Sequence, residues 1–223
     1  MERHFDEELG ALRTRLLLMG GEAEAIIHKA VDALQTRDSA LAESIFDDDR
    51  NIDNLEIEID DRVIRLLALR QPVGTDLRFV TSTLKICNDL ERVGDHAVNI
   101  AQSTIRLNKE PEVKSIIDIP RMALLSTNML TEALDAFVNN DAAAARRILT
   151  EDDEVDHLKS RLHKDLLSCM AENSRCIPAA MELILVSRNL ERVADLATNM
   201  AEEVVYIAEA RVVKHHMEER GAR

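Results

Sequence analysis

The chain has 223 residues, with 28 basic and 42 acidic side chains and a formal charge of −14. Apolar residues make up 46%, yet there is no Trp, one Tyr and four Phe, and Gly and Pro number only six and four. This composition excludes turn-rich all-β folds as well as disordered and fibrous classes, and so acidic a surface repels phosphate backbones, so no nucleic-acid partner is expected.

Residues 22–71, 121–177 and 179–220 contain neither Gly nor Pro and are rich in Ala, Leu, Glu and Arg, the composition of long helices. Apolar spacing supports them: Ile26, Ile27, Ala30, Val31 and Leu34 follow a three-four rhythm, as do Ile52, Leu55, Ile59, Val63 and Leu66. The reading in chain order is six helices, near 5–36, 39–70, 75–108, 119–139, 141–173 and 177–216. Asp38 and Asp141 are the expected N-caps after the turns at Thr36-Arg37 and Asn139-Asn140. Pro72-Val73-Gly74 ends the second helix, and the stretch from Pro111 to Pro120 is the candidate linker.

An internal repeat organises these helices. Leu90-Glu91-Arg92-Val93-Gly94-Asp95-His96-Ala97-Val98-Asn99-Ile100-Ala101 aligns with Leu190-Glu191-Arg192-Val193-Ala194-Asp195-Leu196-Ala197-Thr198-Asn199-Met200-Ala201 at an offset of 100, with eight of twelve positions identical. Upstream the offset is 103, matching Asp38 with Asp141, Ile45 with Ile148, Asp49 with Asp152, Asp53 with Asp156 and Leu55 with Leu158. The chain therefore reads as an all-α protein of two tandem three-helix bundles, residues 1–110 and 111–223, related by duplication.

Each repeat carries two carboxylate pairs at i and i+4: Asp49 with Asp53 and Glu91 with Asp95, then Asp152 with Asp156 and Glu191 with Asp195. Residues so spaced share a helical face, and two such helices side by side would gather four carboxylates whose repulsion a multivalent cation relieves. The oxygen-rich set favours Mg, Ca, Mn or iron over a structural zinc site. Acid pairs on an acidic surface are equally readable as solvated, and both readings stand at this level. Asn99 and Asn199 fall one turn further along and could support a site, while Arg92 and Arg192 read as ion-pair partners. Glu154-Val155-Asp156-His157 has the E-x-x-H spacing of di-iron carboxylate bundles, but no second copy accompanies it. A carboxylate-bridged metal enzyme and a purely structural helical adaptor are the alternatives; no nucleotide-hydrolysis or acyl-transfer motif is present.

Cys87, Cys169 and Cys176 form no C-x-x-C pair and read as free thiols in a reducing compartment. The amino terminus lacks the basic start and apolar run of a signal peptide, and no apolar run reaches about 18 residues, so a cytoplasmic location is expected. His215-His216 lies in the mildly basic stretch Arg211-Val212-Val213-Lys214-His215-His216, offset by Glu218 and Glu219, so direct lipid binding is not expected.

Asn88-Asp89-Leu90-Glu91-Arg92-Val93-Gly94-Asp95-His96-Ala97, its second copy from Arg188 to Asp195, Leu69-Arg70-Gln71-Pro72-Val73-Gly74-Thr75-Asp76-Leu77-Arg78 and Met19-Gly20-Gly21 together resemble the motifs of the PhoU family. The resemblance runs from about residue 5 to 210. It implies two tandem three-helix bundles and a non-enzymatic, negative regulator of the phosphate-starvation response. It also implies iron or zinc clusters on Asp49, Asp53, Glu91 and Asp95 and on Asp152, Asp156, Glu191 and Asp195. The implied partners are a phosphate-sensing histidine kinase, the ATPase subunit of a phosphate ABC transporter and a second copy of the chain, with the inner membrane reached through proteins. Ala194 in place of Gly94, and Leu196 in place of His96, are the departures between the copies.

Overall fold

The structure, a computed structural model, describes residues 2–111 and 118–211. Residues 112–117 of the linker and 212–223, with His215-His216, lie outside the described residues; the final helix, expected to run to 216, ends at Glu209, where Ala210 turns left-handed at φ 54°. Among those described there is no strand. The elements are α1 (Glu2–Thr36), α2 (Ser39–Arg70), α3 (Gly74–Leu107), α4 (Ile119–Asn139), α5 (Ala142–Ile148), α6 (Asp152–Glu172), a 3-10 turn (Ser174–Cys176) and α7 (Ile177–Glu209). Among the described residues no helix is long and apolar enough to cross a membrane.

The expected caps form. Asp38 accepts from the amides of Ala40 and Leu41 at 2.9 and 3.0 Å, and Asp141 accepts from those of Ala143 and Ala144 at 3.0 and 2.9 Å. Arg37, at φ 54°, turns the chain between α1 and α2 and sends its guanidinium to the carbonyls of Leu107 and Glu110, both at 2.8 Å, which closes the exposed end of α3. At the α2–α3 junction Pro72 forbids helical geometry at Gln71, which goes left-handed, and Gly74 opens α3 at φ +57°.

The single helix expected over 141–173 is two. Thr150 and Glu151 donate to the carbonyls of Arg147 and Ile148 at 2.9 and 3.0 Å, a tight turn that α6 then leaves with Asp152, Asp153 and Glu154 in its first turn. Acids there are favoured by the positive end of the helix. At the matching place in the first repeat, Phe46-Asp47-Asp48, α2 runs straight through.

Helices α2, α3, α7 and α6 lie side by side in that order, with α1 packed behind α2 and α3, and α4 and α5 behind α7. Helices α3 and α7 are antiparallel: Arg78 reaches the carbonyl of Ile207, Ser82 and Lys85 reach Glu203, His96 meets Asn189, and Arg106 grips Glu182. Glu203 is only 4% exposed; it accepts from Ser82 Oγ at 2.8 Å and from Lys85 Nζ at 2.9 Å on both oxygens. A buried carboxylate is tolerated only when paired and hydrogen-bonded in this way. Phe79 and Phe137 stack at 5.1 Å and tie α3 to α4.

Helices α1 and α4 meet closely at Gly20, where a Cβ would collide with Leu134 Cδ1, whereas a Cβ on the neighbouring Gly21 meets open space. Both Gly→Ala changes gain similar helix propensity, so their difference isolates the packing. Gly21→Ala is expected to melt above Gly20→Ala, by the equivalent of about 1–3 kcal/mol for an overpacked core. Equal thermal midpoints would show that Leu134 yields without cost.

Candidate metal centre

In the first repeat, Asp49 and Asp53 stand one turn apart on α2, and Glu91 and Asp95 stand likewise on α3. Their helices pack so closely at this level that a Cβ on Gly94 would strike Asp49 Oδ1. Asp49 and Glu91 are half-buried, and Asp53 and Asp95 are exposed. Burial, then the charges of Asp53 and Asp95, raise the Asp49 carboxyl to about 6. Burial again, then Asp95, Glu56, Asp53 and Asp49, raise Glu91 to about 7. Glu56 joins the set and is itself pushed up by burial, then by Asp60 and Asp53. Among the described residues none of Asp49, Asp53, Glu91 and Asp95 is paired with a Lys or Arg; Arg92 turns away, its Nη1 3.7 Å from Asp89 Oδ1.

The second repeat gathers Asp152 and Asp156 from α6 with Glu191 and Asp195 from α7. Asp152 is raised to about 6 by burial, then by Asp195, Asp156 and Glu191, and its Oδ1 is buried without a hydrogen-bond partner. Here cations intervene. Lys159 Nζ lies 2.6 Å from Asp156 Oδ1 and 3.0 Å from Glu191 Oε1, and Arg192 Nη1 lies 2.7 Å from Asp195 Oδ2.

All eight carboxylates singled out in the sequence thus meet in two groups of four. Among the described residues, no three His, Cys, Asp or Glu side chains converge closely enough to hold a metal ion as they stand. The first set is nonetheless chemically suited to one: hard oxygen donors, half withdrawn from water, repelling one another with no cation of their own.

The other signalled residues lie elsewhere. Asn199 faces an open cavity of about 420 Å³ between α3 and α7 with Lys85, Asp89 and Glu203, and Asn99 is exposed. Glu154 pairs with Arg121, and His157 Nδ1 donates to the Asp153 carbonyl at 2.6 Å, so the lone E-x-x-H points into the α4–α6 groove rather than to the carboxylate set. His96, whose counterpart is Leu196, bonds through Nδ1 to Asn189 Oδ1 at 2.9 Å across the two repeats, and burial lowers its pKa. Sequence reading missed Glu56, Lys159 and Asp89. The 103-residue offset that matches Asp53 with Asp156 also sets Glu56 against Lys159, and the 100-residue offset sets Asp89 against Asn189.

The raised carboxyls fix a pH dependence. In the unfolded chain these groups titrate near roughly 4, so between that value and about 7 the folded protein holds protons that the unfolded one has released. Their contribution is present at the acid end and lost as pH rises through about 6 to 7. Metal-free protein should lose thermal stability across this window, and the double substitution Asp49→Asn with Glu91→Gln should flatten the slope. A slope unchanged by that substitution would show that these carboxyls do not carry it.

Residues 16–104 and 119–204 each match the PhoU domain. A protein of Clostridium acetobutylicum named phosphate-specific transport system accessory protein PhoU homolog is 38% identical over 204 residues, 91% of this chain and 93% of that one. Phosphate-specific transport system accessory protein PhoU of Escherichia coli is 31% identical over 211 residues, 95% of this chain and 88% of that one. The crystal structure of PhoU from Pseudomonas aeruginosa superposes with a TM-score of 0.89 at 36% identity, covering 93% of this chain and all of that one.

Proposed function

Because the chain belongs to the PhoU family, we propose that it is a regulatory accessory protein of a phosphate-specific transport system, one that holds the phosphate-starvation response off when phosphate is plentiful. The reading is regulatory rather than catalytic: the relatives are named accessory proteins, and the one E-x-x-H is tied up in local bonds away from the carboxylates. Its partners in this role are a phosphate-sensing histidine kinase, the transporter's ATPase subunit and a second copy of the chain. Protein contacts bring it to the inner membrane from the cytoplasm, since a charge of −14 opposes an anionic lipid surface. The halves 1–110 and 111–223 act as its two units.

The observation that carries the metal part of this reading is the first repeat's set of Asp49, Asp53, Glu91 and Asp95, brought together from α2 and α3 with no cationic partner among the described residues. Iron or zinc is the expected ion, with Mg, Mn and Ca also suited to oxygen donors. When bound, the ion supplies positive charge to a face that otherwise repels itself. Deleting the gene should raise alkaline phosphatase in phosphate-rich medium, and the wild-type gene should restore repression; normal repression in the deletion strain would refute the regulatory role. Protein purified without chelator should carry metal, and Glu91→Ala with Asp95→Ala should lower its content; undiminished metal would refute the ligand assignment.

A further inference from the structure

Family membership implies a metal set in each repeat, but the second set does not fit a further cation. Lys159 projects from α6 one turn beyond Asp156, its side chain 22% exposed, and spans Asp156 and Glu191 at 2.6 and 3.0 Å. Arg192 adds a second positive charge, 2.7 Å from Asp195 Oδ2, with its Nε 3.7 Å from Glu191 Oε2. Building on the cation-binding reading above, we infer that Lys159 is the resident counterion of the second carboxylate set and confines divalent cations to the first.

Two repeat-equivalent differences produce the contrast. Where the second repeat has Lys159, the first has Glu56, so a positive side chain between the helices is replaced by another carboxylate. Where the first has Asp89, which draws Arg92 off the set, the second has Asn189. Asn189 is neutral and occupied by His96 and by the Leu185 carbonyl, and Arg192 turns onto Asp195 instead. Among the described residues the first set therefore counts five carboxylates with Glu56 and no cation, the second four carboxylates and two cations. A divalent ion entering the second set must displace an ammonium already bridging two of its oxygens, or share those oxygens at like charge. Asp152 is the one carboxylate of the four with no Lys or Arg partner among the described residues, and its Oδ1 is orphaned.

The test is an exchange of the two residues, read by manganese content after equilibrium dialysis of full-length protein against Mn²⁺. Wild-type protein should lose its manganese on Glu91→Gln with Asp95→Asn and keep it on Glu191→Gln with Asp195→Asn. Lys159→Glu should double the stoichiometry, and Glu56→Lys should abolish most of it. Retention of half the metal after the first double substitution, or an unchanged stoichiometry in Lys159→Glu, overturns the inference while leaving metal binding intact. Wild-type protein without manganese beside Lys159→Glu with it would defeat the first-repeat site and uphold Lys159; manganese in neither defeats both. Melting of metal-free protein reads the same charges without any ion: Lys159→Met should lower the midpoint and Glu56→Met should raise it. Shifts of the same sign would overturn the assignment.

A separate observation concerns two thiols. Cys169, in the last turn of α6 and half-exposed, has its Sγ 2.8 Å from that of Cys176, which is 8% exposed in the 3-10 turn before α7. Sequence spacing reads these as unpaired thiols, but the Asn173 turn, closed by its amide on the Cys169 carbonyl at 2.9 Å, folds one back onto the other. We propose that Cys169 and Cys176 form a reversible disulfide that staples α6 to α7. With a small disulfide such as oxidised glutathione, the exposed Cys169 thiolate attacks one sulfur and releases one glutathione thiolate. The Cys176 thiolate then attacks Cys169 of the mixed disulfide and releases the second; two electrons pass to glutathione and the thiol protons go to solvent or to the departing thiolates. Cys87 takes no part, being fully buried, with its thiol pushed up to about 12 by burial first and then by nearby carboxylates. After native protein is treated with oxidised glutathione, thiol titration in denaturant should find Cys87 alone, with the mass lower by two hydrogen atoms and restored by dithiothreitol. Cys169→Ser should abolish the change, and Cys176→Ser should leave a glutathione adduct on Cys169. Three free thiols, or a stable adduct on the wild-type protein, would overturn the pairing.

Discussion

The antiparallel packing of α3 against α7 is the constraint on which the rest depends. These two helices carry the Glu-x-x-x-Asp motifs, and each presents its motif outward to a different neighbour, α2 on one side and α6 on the other. The contact is sealed by polar groups as well as apolar ones. Glu203, almost wholly buried, takes three donor bonds from α3 through Ser82 and Lys85, so sliding one helix past the other would strand a charge in the interior. Stranding one partner of such a pair costs about 3–5 kcal/mol. The register of α3 on α7, and with it the level of both carboxylate sets, is held by that penalty.

Within this frame a duplicated design diverges through very few residues. Gly94 lets α2 approach α3 until Asp49 touches its backbone, while Ala194, fully buried at the same place, accepts a side chain of its own. Glu56 and Lys159 reverse the sign of one position between the paired helices. Asp89 and Asn189 decide where the neighbouring Arg points, and the Asn is held in turn by His96 from the other repeat. Each change is local, but each lies beside one of the two carboxylate groups, where the half-buried Asp49, Glu91 and Asp152 respond most to an added charge.

Much of this was legible beforehand. The absence of Gly and Pro over long stretches, the three-four apolar rhythm and the caps at Asp38 and Asp141 mark the helices, and the offset of 100 marks the duplication. The break after Ile148 was not legible, because no Gly or Pro makes it: a tight turn through Thr150 and three acids at the start of α6 do, and neither leaves a periodicity signal. The grouping of the carboxylates could be read because i,i+4 spacing fixes a shared face. Its counterions could not, since whether Lys159 bonds across to Glu191 or extends into water depends on how α6 sits against α7, which no local pattern encodes. The Cys169 and Cys176 contact was hidden for the same reason, being made by a turn rather than by a motif.

The two sets differ in what can change them. On the cation-binding reading proposed above, an external ion would bind according to its supply, so the charge on the first face would follow the concentration of the cation that reaches it. A lysine side chain is covalently present at fixed effective concentration, so the positive charge on the second face does not depend on cation supply. Because α3 and α7 are locked in register, the face open to an external cation and the face held by Lys159 would be presented side by side on one layer. A partner spanning both would read the first against the second, and a shift in the cation supply would alter only one edge of its contact while the other kept its hold.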